Sequence, residues 1–184
     1  GTKVGKEVAV LVLVDRSGDQ DRITVWDEYV GKENTSTSQD ARGILDMLKR
    51  NRIRWSQLDE AWGDRLYIRG PADKESNRDM IDSLARRLRI PSQSLSPSVR
   101  TVKRGRGRGK GSVDAGCRYL HQAMVHDGHF SVHPRCENVI EALQQWDYGD
   151  DDYKDKIDAV RYALQRQIFA PKRRRQQKRR LYLS

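Results

Sequence analysis

Cysteine is scarce in this chain. Cys117 and Cys136 are the two it has, and they fall in different expected elements. Thiols so placed make neither a disulfide framework nor a CxxC metal site, so both are expected to be reduced and buried, as in a cytosolic protein. Long apolar runs are missing as well. No stretch would span a bilayer and nothing at the amino terminus resembles a signal peptide, so no membrane partner is expected. Internal repeats are absent. A nucleotide phosphate loop is absent too. Gly109-Lys110 invites that reading, but Arg104 stands where the first glycine is needed, and Gly111 replaces the Ser or Thr after the lysine. The chain therefore shows no ATPase signature of its own.

What the chain does have is positive charge. Its 184 residues carry 36 Lys and Arg against 26 Asp and Glu, a net charge of +10. Such an excess favours a polyanionic partner, most simply nucleic acid. The length suits one domain with a real core.

The β-branched run Val8 to Val14 predicts a strand buried on both faces. Asp15-Arg16-Ser17-Gly18-Asp19 supplies a turn, and Ile23 to Val30 predicts the second strand of a hairpin. Ser36 and Gln39 have capping-box spacing ahead of a helix with Ala41, Ile44, Leu45 and Leu48 on one face. Leu66 to Arg69 predicts a short strand, stopped by Gly70-Pro71-Ala72-Asp73. A helix follows from about Asn77 to Leu88. This order implies an α/β layered domain.

Residues 92–112 change character. Pro, Ser, Gly and Arg dominate, and no apolar residue anchors a packed element, so a mobile basic loop is expected. Lys103, Arg104, Arg106, Arg108 and Lys110 would meet DNA phosphates there without reading sequence. Ser112 can cap a helix that buries Val113, Cys117, Leu120 and Met124. His129 to Pro134 predicts a short strand, and Val139, Ile140, Leu143 and Trp146 mark another amphipathic helix. His121, His126, His129 and His133 have no ligand pattern with the cysteines, which favours surface or capping roles over zinc. The basic run Lys172 to Arg180 predicts a tail, 171–184, that binds something acidic.

The last predicted helix contains Lys154 to Leu164. Ile157, Val160, Leu164 and Ile168 make its apolar stripe. Asp155, Asp158 and Tyr162 share a neighbouring stripe, since residues three and four apart stack on a helix. Adjacent carboxylates repel, and a hard cation such as magnesium or manganese turns that repulsion into binding. A solvated acidic face, with Lys154 and Lys156 as partners, is the ordinary alternative. Asp73, at the carboxyl end of a predicted strand, stands where open α/β sheets build their sites. Acids converging from these elements could hold two ions about 4 Å apart.

Gly70-Pro71-Ala72-Asp73, the segment Val132-His133-Pro134 to Leu143, and Asp155-Lys156-Ile157-Asp158-Ala159-Val160-Arg161-Tyr162 together resemble the nuclease domain of the large terminase subunits of tailed bacteriophages. The hairpin ending Val25-Trp26-Asp27-Glu28-Tyr29 is also similar to that family. The resemblance runs from Glu7 to about Leu164, and it is the order of the motifs that gives it specificity. It implies a ribonuclease H-like mixed sheet flanked by helices over residues 1–170, and metal-dependent cutting of DNA concatemers. It implies two Mg2+ or Mn2+ ions, with Asp73 as the second catalytic acid and Asp155 and Asp158 as the acidic pair. The family's pair stands four apart and this one three apart, so which aspartate is the principal ligand stays open.

Implied partners are double-stranded DNA, an upstream ATPase domain of the same parent protein, the portal or procapsid, and the small terminase subunit. The implied location is the cytoplasm of an infected bacterial host. The spacing of the pair also resembles RuvC-type nucleases acting on branched DNA. A non-catalytic basic module that docks DNA or a capsid is the third reading.

In the family the first acid lies on a strand before the hairpin, followed by a glycine-rich turn. Gly1 to Lys6 looks like the end of that turn, which places the first acid upstream of Gly1; the alternative makes Asp15 that acid. Restoring the upstream segment is therefore expected to raise manganese-dependent cleavage of DNA. Equal cleavage by the two lengths of chain would sink the upstream placement.

Overall fold

In the computed structural model, which describes residues 7–32, 35–63, 86, 89, 96–97, 112–125, 129–147 and 151–164, the β-branched run forms β1 (Val8–Asp15). β1 pairs antiparallel with β2 (Arg22–Val30) across the expected turn. Ser17 N–H donates to the Asp15 carboxylate at 2.8 Å and holds that turn. β2 is the central strand of three. On its other side it pairs in parallel with β5 (Phe130–Val132), so the sheet order is β1-β2-β5.

Both faces of this sheet are covered. Ala9, Leu11, Trp26 and Tyr29 pack with Met47 and Leu48 of α1 (Thr37–Arg50). On the opposite face Ile23 and Val25 join Leu120 of α2 (Ser112–Val125), Val139 and Ala142 of α3 (Glu137–Gln145), and Ile157 and Val160 of α4 (Asp151–Ala163). The described residues thus form a mixed α/β structure with four helices. β1 is less buried than expected: it is an edge strand, so Leu11 is buried, the valines and Ala9 are half-buried and Leu13 is exposed.

α1 begins at the predicted capping box. Gln39 N–H donates to Ser36 Oγ, and Ser36 N–H donates to Gln39 Oε1 at 2.8 Å. Its buried stripe is rotated from the expected one. Ala41 and Leu48 are buried as predicted, but Met47 is buried and Leu45 is exposed. Residues 45 and 47 flank the Ala41-Ile44-Leu48 line on opposite sides, and the sheet covers the Met47 side.

The helix ends in a Schellman motif. Ile53 N–H donates to Leu48 C=O at 2.9 Å and Arg52 N–H to Lys49 C=O at 2.9 Å. Arg52 therefore occupies the left-handed seat that usually falls to glycine, with φ 57°. That conformation costs a residue with a side chain about 1–2 kcal/mol. Arg89 is the other non-glycine residue with positive φ among those described, at 53°.

The remaining helices follow their predicted stripes in part; in α3 Val139 is buried, Ile140, Leu143 and Trp146 are partly so, and the unpredicted Ala142 is fully buried. In α2 Leu120 is buried and Val113 and Cys117 are partly covered, but Met124 in the last turn is exposed. Gly116 takes a buried place instead, because the Arg161 side chain lies against it; a Cβ there would sit 2.6 Å from Arg161 Cδ. Ile157 and Val160 of α4, and Leu164 just past its end, are buried as expected. Cys136 is buried and Cys117 partly so, and both are free thiols. Burial, and then the Glu28 and Asp27 charges, push the Cys136 thiol up to about 11; burial also pushes Cys117 up.

The segment expected as a mobile loop, 92–112, contributes a small element. β4 (Ser96–Pro97) pairs in parallel with β3 (Trp62–Gly63), forming a second, two-stranded sheet. Backbone pairing needs no apolar side chain, so composition did not announce it. The predicted strand at 66–69, most of the helix at 77–88, Asp73, the five basic residues from Lys103 to Lys110, Ile168 and the tail 171–184 lie outside the described residues.

Tyr29 fixes α1 against the sheet. Its hydroxyl donates to Asp40 Oδ1 at 2.8 Å, and Thr35 Oγ1 donates to the same oxygen at 2.7 Å. Burial, with Asp40 beside it, pushes the phenol up to about 12. Its ring occupies the space where a side chain at Gly43 would begin. Helix propensity alone would make Gly43→Ala stabilising by about 1 kcal/mol. The overlap with Tyr29 reverses the sign, and the expected result is a loss of about 1–3 kcal/mol in urea unfolding.

Candidate functional site

A slip in register in the carboxyl half of β2 places two buried acids side by side in the interior. Leu11 lies opposite Asp27 and Val12 opposite Val25, so Trp26 is the extra residue of a β-bulge. Strict alternation would send Asp27 and Glu28 to the faces opposite those they take. With the bulge, Asp27 turns to the end of α1 and Glu28 to the start of α3. Both acids are buried, at 1% and 8% exposure.

Asp27 is held on both oxygens. Arg50 Nε donates to Oδ2 at 2.6 Å and its NH2 to Oδ1 at 2.7 Å, a two-pronged pair. Asn51 Nδ2 donates to Oδ2, and Glu28 N–H to Oδ1 at 2.9 Å. Burial pushes the carboxyl upward, but the bonds from Arg50, Asn51 and the Glu28 amide outweigh it and hold Asp27 below the usual aspartate range. The Asp27 hydrogen bond raises Arg50 in turn. Arg135 approaches from the segment after β5, with NH1 3.9 Å from Asp27 Oδ2. Its guanidinium lies 5.6 Å from the Trp26 ring centre, and its Nε donates to His133 Nδ1 at 3.2 Å. The Trp26 indole donates to Asn51 Oδ1 at 2.9 Å.

Glu28 serves a different helix. Its carboxylate accepts from Asn138 N–H at 2.9 Å, Asn138 Nδ2 at 2.8 Å and Val139 N–H at 2.9 Å. These amides belong to the first turn of α3, whose own N-cap, Cys136, offers no side-chain hydrogen bond. A carboxylate from the central strand thus caps a helix more than a hundred residues away, where the helix dipole also favours negative charge.

The predicted acidic pair lies on α4. Asp155 is exposed and Asp158 partly buried, one turn apart. Asp158 Oδ1 accepts from Arg161 Nε at 3.0 Å and also from Arg161 NH2. Arg161 is itself 1% exposed, lodged against Gly116 of α2 and 5.5 Å from the Tyr162 ring centre. The pair Asp158–Arg161 is therefore an internal fixture as well as part of an acidic stripe. Two carboxylates a turn apart are hard donors that fit a divalent ion; Arg161 fixes the rotamer of one of them. Asp15, the alternative first acid, is exposed at the end of β1. The Ser17 hydrogen bonds hold its carboxyl below the usual range. Among the described residues no group of three His, Cys, Asp or Glu is placed to hold a metal ion.

Asp27, Glu28, Arg50, Asn51, Arg135 and Asn138 are absent from the sequence-based list. The one sequence signal was two adjacent acids inside a strand otherwise rich in β-branched and aromatic residues. Comparison with family models, with curated proteins and with solved structures finds no match to this chain.

Asp27 carries a pH signature. Its native value lies below the unfolded one, so its contribution is full above about pH 4 and drains away as the pH falls through the native value. Asp27→Asn is expected to lower stability at neutral pH by about 2 kcal/mol, because Arg50 is half-exposed and rehydrates. Urea unfolding followed against pH should show the wild-type protein losing more stability below about pH 4 than the variant. Parallel curves would remove Asp27 as the titrating group.

Proposed function

We propose that the chain is the metal-dependent endonuclease domain of a tailed-phage DNA-packaging terminase. It hydrolyses phosphodiesters during concatemer cutting, with Asp73, Asp155 and Asp158 holding two Mg2+ or Mn2+ ions. The observation that carries this reading is α4. The segment Asp155-Lys156-Ile157-Asp158-Ala159-Val160-Arg161-Tyr162 forms a helix whose apolar side is core and whose two acids stand together on another side. Arg161 holds Asp158 in one orientation, the kind of support a ligand needs. A mixed sheet flanked by helices supports it at the level of architecture.

Bound metal would supply an activated water and stabilise the leaving oxygen. The chain's own residues would orient the ions and hold the DNA, with Lys103, Arg104, Arg106, Arg108 and Lys110 contacting phosphates. The upstream ATPase domain, the portal or procapsid and the small subunit are the partners this reading brings. A RuvC-like nuclease on branched DNA shares the chemistry, and a Walker motif in the parent gene separates the two.

One observation favours a second reading, a non-catalytic basic module for DNA or capsid docking. Asp27, Glu28 and Asp158 all have protein partners, which is how structural acids behave.

A plasmid-nicking assay with manganese, magnesium and EDTA decides between them. With the upstream segment restored, the expected outcome is metal-dependent cleavage, abolished in Asp73→Asn and reduced at least tenfold in Asp155→Asn, roughly the effect of weakening one metal ligand. Asp155 is exposed, so its variant should keep the wild-type urea midpoint; Asp158→Asn disturbs a buried arginine and needs that control. Cleavage that survives in Asp73→Asn and Asp155→Asn, or that never depends on metal, would reject the nuclease site.

A further inference from the structure

The end of α1 and the residues after it read Lys49-Arg50-Asn51-Arg52-Ile53-Arg54, and Lys49, Arg50, Arg52 and Arg54 are exposed. Arg135, exposed on the far side of the sheet junction, reaches the same oxygen of Asp27 that Arg50 holds. Arg50 and Arg135, from two distant parts of the sequence, therefore share one surface, and Lys49, Arg52 and Arg54 flank Arg50 in the chain. Asp27 and Glu28 beside Arg50 are buried, while Asp46, one turn before Arg50, and Glu137, two residues after Arg135, are exposed.

Two features separate this surface from ordinary solvated charge. First, its arginines are pre-ordered. Arg50 is fixed by Asp27 and by the Glu28 carbonyl at 2.7 Å, and Arg135 by His133 and the Trp26 ring. Their side chains nevertheless remain 47% and 42% exposed. Guanidinium groups ordered before binding lose less freedom when a planar or tetrahedral anion arrives. Second, Arg52 sits at φ 57°, where glycine would serve the helix end better. An arginine in a seat that costs stability is a local outlier from which a use for its exposed side chain is inferred.

We propose that this surface holds the phosphodiester backbone of duplex DNA, through Arg50, Arg52 and Arg135 with Lys49 and Arg54 beside them. It is a second phosphate contact, apart from the basic residues of 103–110. The inference rests on the chain being a DNA-handling protein, as in the reading above, but not on its cutting DNA. Contacts of this kind neutralise phosphates and release counterions, so they tighten binding to any sequence alike and weaken with salt.

The test separates stability from binding. The full chain is titrated into a short fluorescein-labelled duplex, followed by anisotropy in EDTA over a range of KCl concentrations. Arg52→Gly is expected to raise the urea midpoint, by relieving the left-handed seat, and yet to bind several-fold more weakly. The slope of log affinity against log salt should fall by about one. Arg135→Ala should weaken binding in the same way, and serves if Arg52→Gly alters the fold. Unchanged affinity and slope in both folded variants would overturn the surface while leaving the nuclease reading intact. If only replacing Lys103 to Lys110 removes binding, the loop alone holds DNA and the surface is likewise rejected. No binding by the wild-type chain even at low salt would overturn both.

Discussion

Two adjacent carboxylates at the end of the central strand tie the molecule together. Asp27 takes the end of α1 through Arg50 and Asn51, and Glu28 takes the beginning of α3 through its first-turn amides. One helix terminus is thus secured on each face of the sheet by neighbouring residues of one strand. Burying two acids is costly unless every oxygen is satisfied. Here backbone amides, two asparagines and an arginine satisfy them, and the bulge at Trp26 makes the division of labour possible. If Trp26 took a regular place in the ladder instead, the two carboxylates would exchange faces and lose the helix ends that hold them.

The same junction sets where charge is displayed. Arg50 and Arg135 meet at one oxygen of Asp27, and Trp26 and His133 complete the support. A buried negative charge therefore organises a positive surface above it. The acids of α4 belong to a separate system, in which Arg161 is buried between α2 and α4 and Asp158 is its partner. That arrangement gives the helix a fixed polar edge beside a fully apolar one.

What the sequence made legible was local. The hairpin could be read from the β-branched run and its turn, the start of α1 from Ser36 and Gln39, and the core stripe of α4 from Ile157, Val160 and Leu164. Each of those signals lies within a few residues of its partners. The buried acid pair was not legible, because Arg50 lies 23 residues from Asp27 and Asn138 lies 110 from Glu28. Nothing between them marks the meeting. The rotation of α1 that buries Met47 in place of Leu45 depended on which side the sheet came to cover, which helical periodicity leaves undetermined. Similarly, nothing near Gly116 in the sequence announces that the Arg161 side chain lies against it.

The parallel pairing of β2 with β5 also bears on how the chain reaches this state. Thr24 and Ser131, whose hydroxyls meet at 2.9 Å, are separated by 107 residues. The antiparallel hairpin can close early because its strands are near neighbours in sequence. The third strand and the Glu28 cap must wait for a long stretch of chain to return. Until then Glu28 has no helix to cap, and one edge of β2 is open to pairing with another molecule. The entropy of that closure grows only with the logarithm of the length enclosed, about 0.6 kcal/mol for each doubling. Insertions between β3 and α2 would therefore be cheap in equilibrium terms, and their toll would fall on the time during which that edge stands unguarded.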